Sequence, residues 1–492
     1  MRRTDAGVAL IVVMAAGAAA LALADPASLR ATFVHDNAPL FYLLLLGWTR
    51  VFGASAFALR ALPSAAFAGA IVFSALAARH AGSERAAWLT AVLVGCSVPF
   101  GLEPAATARP YALAALFAAM SLWAALRVKE TTSAANAAAP ILASHLFGLF
   151  THPVFVFVSV ASAIAGVVTR RGRVVLAAAP AAALAIYGAM WWPVLTETAA
   201  LPARTWMMAP RAADLLSGMQ FWGDHGTPVL AALAALVLLA VRYAGSARVD
   251  MRGAAFALLI VVLVLGGAFL ASRITPVYVA ERTPIFVLPA ASVVFGVAIA
   301  ELSPAWVTAA AALMVIVSAV RFTVRTHDAP DPFPTRASLA VVALKATCGD
   351  TIVAAGLSYA PVLFYAPSAR MPACVRLVAF PEDVREHPGW LDLSPDAITA
   401  LPGTAAAAVA RLPSSGTVWV FTQTRGVGAP HSFALLQALS ATRPAAAKLA
   451  LTGSFFDEIT VFGNPTTGRR YAYDLYPSAR PAHFSSSVKL IY

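Results

Sequence analysis

Uncharged apolar runs follow one another through the first two thirds of the chain, each closed by a short stretch that carries arginine, lysine or proline. They lie at Gly7 to Ala24, Ala61 to Ala78, Trp88 to Leu102, Pro110 to Leu126, Ala137 to Phe150, Pro153 to Thr169 and Val174 to Trp192, then at Thr227 to Val241, Gly253 to Ser272, Thr283 to Ala300 and Ala305 to Val320. A bilayer-crossing helix needs about 20 residues, so the pattern predicts about eleven spans, several of which must borrow flanking residues. The run Pro39 to Trp48 is apolar and aromatic but too short to cross. It is expected as an interfacial helix with Phe41, Tyr42 and Trp48 as anchors in the headgroup layer. From about Thr326 the pattern changes: charges of both signs appear and no further spanning run follows. Strand-like runs Thr351 to Ala355, Val375 to Phe380, Thr417 to Phe421 and Ile459 to Phe462 alternate with helix-like Arg336 to Lys345, Ala405 to Arg411 and Ser432 to Leu439. That alternation predicts a small α/β domain over 326–492, after a transmembrane helical bundle over 1–325.

Composition agrees with the bundle: 60% of the 492 residues are hydrophobic and 12% are charged, which rules out a water-soluble globule as the model. The formal charge of +12 belongs to membrane-facing loops rather than to a nucleic-acid surface, because no basic stripe with interleaved aromatics and no nucleic-acid motif is present. Nor does the chain contain a nucleotide-binding glycine loop, HExxH or GxSxG, so no nucleotide cofactor is expected. Of the three cysteines, Cys96 lies in an apolar run, whereas Cys348 and Cys374 lie in the polar C-terminal part and are expected to pair in an oxidising compartment.

Arg2 and Arg3 precede the first run and place the N-terminus in the cytoplasm. Ala22-Leu23-Ala24 also fits a signal-peptidase site, but Asp36 falls on the outer side in either case. With an odd number of spans, the connections carrying Arg79 and Arg85, Arg127 and Lys129, Arg170, Arg171 and Arg173, and Arg242, Arg248 and Arg252 all fall inside, and the C-terminal domain falls outside. Arginines at the outer span edges, among them Arg60, Arg109 and Arg282, then require a different explanation. Guanidinium groups there either snorkel to the interface or grip a phosphate-bearing headgroup.

Four polar clusters fall on the predicted outer side: His35-Asp36-Asn37, Glu103 to Tyr111, Thr151-His152-Pro153, and Tyr278 to Thr283. A carboxylate and several arginines at one membrane surface suit transfer from a phosphate ester. The carboxylate deprotonates an acceptor hydroxyl while cations hold the departing phosphate. Taken singly, Asp36 is equally an exposed loop aspartate or a helix cap before Pro39, each arginine is an interfacial anchor, and His152 orders a loop. His145, deeper in its run, is expected to pack inside the bundle. Glu197, Trp206, Asp224 and His225 lie in the long outer segment Pro193 to Gly226, a loop placed for an acceptor.

The stretches His35-Asp36-Asn37-Ala38-Pro39-Leu40-Phe41-Tyr42 with Trp48, Phe52-Gly53 and Leu59-Arg60, then Ala108-Arg109-Pro110-Tyr111-Ala112-Leu113, Gly148-Leu149-Phe150-Thr151-His152, and Glu281-Arg282 before Pro289 occur in the order seen in one family. On them the chain resembles the GT-C superfamily of integral-membrane glycosyltransferases, the branch with protein O-mannosyltransferases and the lipid A aminoarabinose transferase. The resemblance covers most of Val34 to Leu288. It implies a hexosyl- or pentosyltransferase with a polyprenyl-phosphate-linked sugar donor and a lipid, glycan or protein acceptor, acting on the outer face of a bacterial inner membrane. Carried over by position, Asp36 is the catalytic base, and Arg60, Arg109 and Arg282 are donor-phosphate ligands. Tyr42, Glu103, Tyr111, His152 and Glu281 are substrate contacts. The chain departs from many relatives at Asn37 and Ala38, and at Thr107, near which they carry a carboxylate; Glu103 is the candidate for that place here. No metal ligand set is assigned, and assistance by a divalent ion is left open. A lipid-linked-sugar transporter or flippase is the rival reading, since many spans and outward arginines also suit a lipid-phosphate carrier.

Overall fold

The computed structural model describes residues 39–128, 133–169, 173–200, 209–222, 251–274, 277–327, 335–385, 391–423, 428–450, 458–463 and 489–490. The runs Gly7 to Ala24 and Thr227 to Val241 and the cluster His35-Asp36-Asn37 lie outside the described residues. The chain divides into two compact units, with described residues 39–326 in the first and 335–490 in the second.

The first unit is helical. Its elements are α1 Pro39–Phe52, α2 Ala56–Ala81, α3 Glu84–Gly95, α4 Tyr111–Leu126, α5 Ala134–Thr151, α6 Phe155–Val168, α7 Arg173–Ala200, α8 Ala212–Gly218, α9 Arg252–Ala271, α10 Leu288–Leu302 and α11 Ala305–His327. Each of the apolar runs within the described residues forms a helix over at least part of its length. Five helices are long and apolar enough to cross a membrane: α2, α5, α9, α11 and the Val174–Pro193 part of α7. The helices α4, α6 and α10 are apolar but shorter, with 16, 14 and 15 residues, or roughly 21–24 Å at 1.5 Å per residue. Burial explains α4. Apolar on nearly all sides and buried along most of its length, it is a central helix of the bundle. Small residues let its neighbours approach: a Cβ on Gly69 of α2 would lie 2.9 Å from Leu116 of α4. Alanine and glycine therefore serve backbone proximity in a solvent where apolar surface alone gives helices no reason to associate.

Two runs expected as continuous spans are broken. The run Trp88 to Leu102 leaves α3 at Gly95, passes through a π-helical turn Val98–Leu102 and a short turn Glu103–Ala105, and bends by 70°. Pro99 disfavours helical geometry at Val98 and supplies no amide hydrogen, while Gly95 and Gly101 lower helix propensity on either side. The orphaned carbonyl of Leu93 accepts a hydrogen bond from the Trp222 indole at 2.6 Å, and Ser97 Oγ donates to the Phe221 carbonyl at 2.7 Å. The run Thr283 to Ala300 likewise opens with a 3-10 turn, Thr283–Phe286, before α10.

The interfacial reading of Pro39 to Trp48 needs a correction at one residue. The helix is present as α1, but Phe41 is wholly buried in the bundle core where α1 packs on α2 and α5, so it is a packing residue and not a headgroup anchor. Trp48 keeps a polar link, donating Nε1–H to the Ala58 carbonyl at 2.8 Å. His145 packs inside as expected, 1% exposed, with Nδ1 3.0 Å from Ser159 Oγ.

The second unit is a three-layer α/β domain. Its strands β1 Thr351–Ala355, β2 Arg376–Phe380, β3 Val418–Thr422, β4 Ala445–Ala450, β5 Glu458–Phe462 and β6 Lys489–Leu490 form one sheet of order β2-β1-β3-β5-β4-β6. β1 runs parallel to β2 and β3, and the remaining pairs are antiparallel. Alternate residues face opposite layers. Ile352, Trp419, Phe421 and Val461 pack with α12 Thr335–Lys345 and α13 Tyr359–Tyr365, while Val353, Val420 and Phe462 pack with α14 Pro395–Ala410 and α15 Ala429–Thr442. Asp350, buried before β1, accepts from Thr417 N at 2.7 Å and Thr347 N at 2.9 Å and so fixes the start of the parallel pair.

Cys348 and Cys374 form a disulfide with Cα atoms 5.0 Å apart, closing a loop of sequence separation 26. Loop-closure entropy puts its contribution at about 3.5 kcal/mol in the chain-entropy model. Replacing Cys374 by Ser should lower the stability of this unit by about 3 kcal/mol, read as a lower urea midpoint for protease cleavage within 335–490.

Burial also holds the His431 imidazole neutral. The side chain is 2% exposed, its Nδ1 has no hydrogen-bond partner, and its pKa lies below the usual value through desolvation, with Asp392 opposing. The unfolded chain takes up a proton near pH 6.5 that the folded domain refuses. Stability from this residue is therefore complete above about pH 6.5 and falls as pH drops toward the lower folded-state pKa, at no more than about 1.4 kcal/mol per pH unit. Thermal unfolding of the second unit between pH 7.5 and 5 should show that fall, and His431→Leu should flatten it.

Candidate functional site

Three of the four polar clusters have described residues, and the structure brings them together through their aromatic and cationic members. Tyr111 opens α4 behind Pro110. His152 caps the end of α5, its amide donating to the Gly148 carbonyl at 3.0 Å. Arg282 ends the loop that leads into the 3-10 turn Thr283–Phe286. The Tyr111 and His152 rings lie 5.5 Å apart between centroids, His152 and Phe286 lie 5.0 Å apart, and the Arg282 guanidinium carbon stands 5.8 Å from the centroid of the Tyr111 ring. That last distance falls within cation–π range.

Local structure holds each member. Val277 and Tyr278 amides donate to Ser272 Oγ at 3.0 and 2.7 Å, and the Val279 amide donates to Thr283 Oγ1 at 2.9 Å, which ties the loop before and after Arg282. Tyr278 anchors it further. Its hydroxyl donates to the Asp214 carbonyl of α8 at 3.2 Å, and burial, then the Asp214 and Glu281 charges, push its pKa up to about 12. The phenol therefore stays protonated and donating at any physiological pH. His152 is fixed by the amide of Val154, which donates to Nδ1 at 3.2 Å and so leaves the proton of a neutral ring on Nε2. The turn from α5 to α6 is tight because residue 148 is glycine: a Cβ there would lie 2.4 Å from the Phe155 ring. On the Tyr111 side, Thr107 Oγ1 donates to the Pro104 carbonyl at 3.0 Å and the Arg109 amide to the Thr107 carbonyl at 2.8 Å. Ser64 Oγ of α2 donates to the Ala105 carbonyl at 3.0 Å, tying that turn to α2.

The breaks in the two apolar runs have a positional consequence. The π-helical turn 98–102 and the 3-10 turn 283–286 touch one another, and the latter packs on α4. Both interruptions therefore border the aromatic–cation cluster. The segment 209–222 joins them through Phe221 and Trp222, which are buried against the α3 break. Part of the stretch expected as an open acceptor loop is accordingly folded structure: Pro193 to Ala200 continues α7, and 209–222 braces the break.

The other candidates take no part in the ring cluster. Arg60, Glu103, Arg109 and Glu281 are exposed, and Tyr42 is half-buried on α1 with its ring 5.4 Å from Phe41. Asp36 lies outside the described residues. Phe286 was not singled out in the sequence, where nothing distinguishes it from other apolar residues of its run. Among the described residues no group of three His, Cys, Asp or Glu side chains is placed to hold a metal ion. The cluster sets the Arg282 guanidinium and the His152 ring beside the aromatic faces of Tyr111 and Phe286. That set suits a phosphate carried on a hydrophobic chain, with guanidinium bonding to its oxygens and aromatic rings packing beside the lipid.

No protein-family model matches the chain, and no curated protein matches it. Solved structures do. ArnT from Cupriavidus metallidurans in the apo state superposes with a TM-score of 0.53 at 15% identity, covering 89% of this chain and 91% of that one. The same protein bound to undecaprenyl phosphate gives 0.51 at 14% identity, covering 94% and 98%. The chain therefore shares the ArnT fold, a polytopic helical bundle with a small α/β unit, over nearly its whole length.

Proposed function

We propose that this protein is a membrane glycosyltransferase that moves a sugar from a polyprenyl-phosphate-linked donor to an acceptor hydroxyl or phosphate. The observation that carries the reading is the meeting of Tyr111, His152 and Arg282, from three separated parts of the chain, within an ArnT-like fold. The neighbour's undecaprenyl phosphate supports a lipid phosphate as the group recognised here. Arg282 grips the donor phosphate over Tyr111, and Arg109 and Arg60, both exposed, are assigned to the same phosphate. His152 donates through Nε2 to the same phosphate or to the sugar, and Tyr42, Glu103 and Glu281 contact substrate. Asp36 takes the acceptor proton while the glycosyl–phosphate bond breaks and the arginines stabilise the phosphate that leaves.

Outer-face action, with the chain in a bacterial inner membrane, rests on the inner arginine-rich connections and on the disulfide, which belongs in an oxidising compartment. The 326–492 domain then lies in the periplasm or outside the cell. Binding of undecaprenyl phosphate to the purified protein in nanodiscs tests the donor assignment. The expected result is saturable binding that the unphosphorylated polyprenol does not compete for, and equal competition by the alcohol would overturn it.

One observation favours the transporter. A bent, interrupted helix pair bordering the site resembles the discontinuous helices with which many transporters present backbone groups to a substrate. The two readings part on whether the sugar–phosphate bond is cut.

A further inference from the structure

The second unit leaves one of its helical layers incompletely covered. α12 turns Leu339 and Val342 into the core beneath the sheet, while Leu344 on its opposite side is 78% exposed. α13 buries Tyr359 and Val362 and leaves Leu363 and Phe364 45% and 40% exposed. The two helices pack against each other and both pack on the turn Pro367–Ala369, so these side chains belong to one surface. The exposed charges on α12, α13 and this turn are of one sign, while the exposed acids on the same side of the sheet, Glu382 and Asp383, lie on a separate turn. Between residues 335 and 381 the sole acid is Asp350, which is buried with its carboxylate spent on the Thr347 and Thr417 amides. Arg336, Lys345 and Arg370 are exposed. Glu382, just beyond, is paired with Arg411 at 3.1 Å.

We infer that the α12–α13 face rests on an anionic phospholipid surface, with Leu344, Leu363 and Phe364 in the interfacial layer and Arg336, Lys345 and Arg370 among the headgroup phosphates. An apolar patch rimmed by cations is the combination that lies on an anionic bilayer, where apolar area and charge act together. Chain length makes the bilayer the surface within reach. α11, one of the five span-length helices, ends at His327 and α12 begins at Thr335. Even fully extended, the eight steps from His327 to Thr335 reach no farther than about 28 Å at roughly 3.5 Å each. This docking does not depend on what chemistry the bundle performs.

The test uses the full-length protein in nanodiscs, with Cys96→Ala to remove the free thiol and a bimane label on Ser368→Cys beside the patch. A second protein carries the label on Ser440→Cys of α15, in the opposite layer. Lipid-borne nitroxide at headgroup depth reports proximity to the bilayer. In discs containing phosphatidylglycerol, quenching at 368 should exceed that at 440 at least twofold, and the difference should fall in discs of phosphatidylcholine alone and at 0.5 M salt. Arg336→Glu with Lys345→Glu and Arg370→Glu should abolish it. The salt and lipid comparisons need no variant of the patch, so a misfolded triple substitution leaves the outcome readable. Equal quenching at the two positions would overturn the inference. So would a difference indifferent to both salt and anionic lipid, which would show that an anionic bilayer does not cover this face.

Discussion

Asp36→Asn is expected to lower sugar transfer by about 100- to 10,000-fold, the range over which removal of a general base is felt. Asparagine keeps the size of the side chain and most of its hydrogen bonding but has no charge to accept the acceptor's proton. On the proposed assignment the phosphate is held by other residues, so donor binding should hardly change and kcat should carry the loss. The measurement is initial transfer rate at saturating donor, with binding of undecaprenyl phosphate measured separately on the same preparation. Transfer within threefold of the unaltered protein would remove Asp36 from the chemistry.

Arg282→Ala should act on the other quantity. A hydrogen bond to a charged group is worth about 1.5–3 kcal/mol, so donor affinity should fall roughly 10- to 150-fold. Turnover should fall as well if the contact tightens while charge builds on the leaving phosphate. Arg282→Lys separates charge from shape. It keeps the cation but loses the planar fork, which lies over Tyr111 5.8 Å away and which the proposal makes a bidentate phosphate ligand. An intermediate affinity is therefore expected from Lys, and a similar partial loss from Tyr111→Ala. Titration of labelled polyprenyl phosphate against each variant in nanodiscs decides it, and unchanged affinity in Arg282→Ala would leave the guanidinium as an interfacial anchor.

The bundle was legible because apolar helices announce themselves by composition, one run at a time. The α/β unit was legible where strands are rich in β-branched or aromatic residues, as in Thr351–Ala355 and Val418–Thr422. It was not legible at Ala445–Ala450, whose sequence AAAKLA has little strand preference and is held extended by pairing with β5. The break after Gly95 was signalled by Ser97-Val98-Pro99, yet in a wholly apolar run that signal competes with hydropathy. Only tertiary partners such as the Trp222 indole make the break affordable. Phe41 shows the same limit from another side, since the aromatic character that marks a headgroup anchor also fills a core.

At the site, residue types were readable and their meeting was not. Tyr111, His152 and Arg282 carry polar or cationic groups beside prolines at helix ends, which singles them out in a sequence this apolar. That an arginine 171 positions beyond Tyr111 lies over its ring depends on how α4, the α5–α6 turn and the 3-10 turn pack. Phe286 enters the cluster solely through that packing.

The measurement that bears most directly on the central claim follows one molecule of donor in reconstituted vesicles, with separate labels on the sugar and on the polyprenyl chain and with extracted envelope glycolipids as acceptor. Glycosyl transfer predicts that the two labels part: polyprenyl phosphate is released while the sugar appears in acceptor, and Asp36→Asn suppresses both together. Donor that crosses the bilayer with its sugar–phosphate bond intact, at the same rate in the Asp36 variant, would contradict the account and identify a carrier.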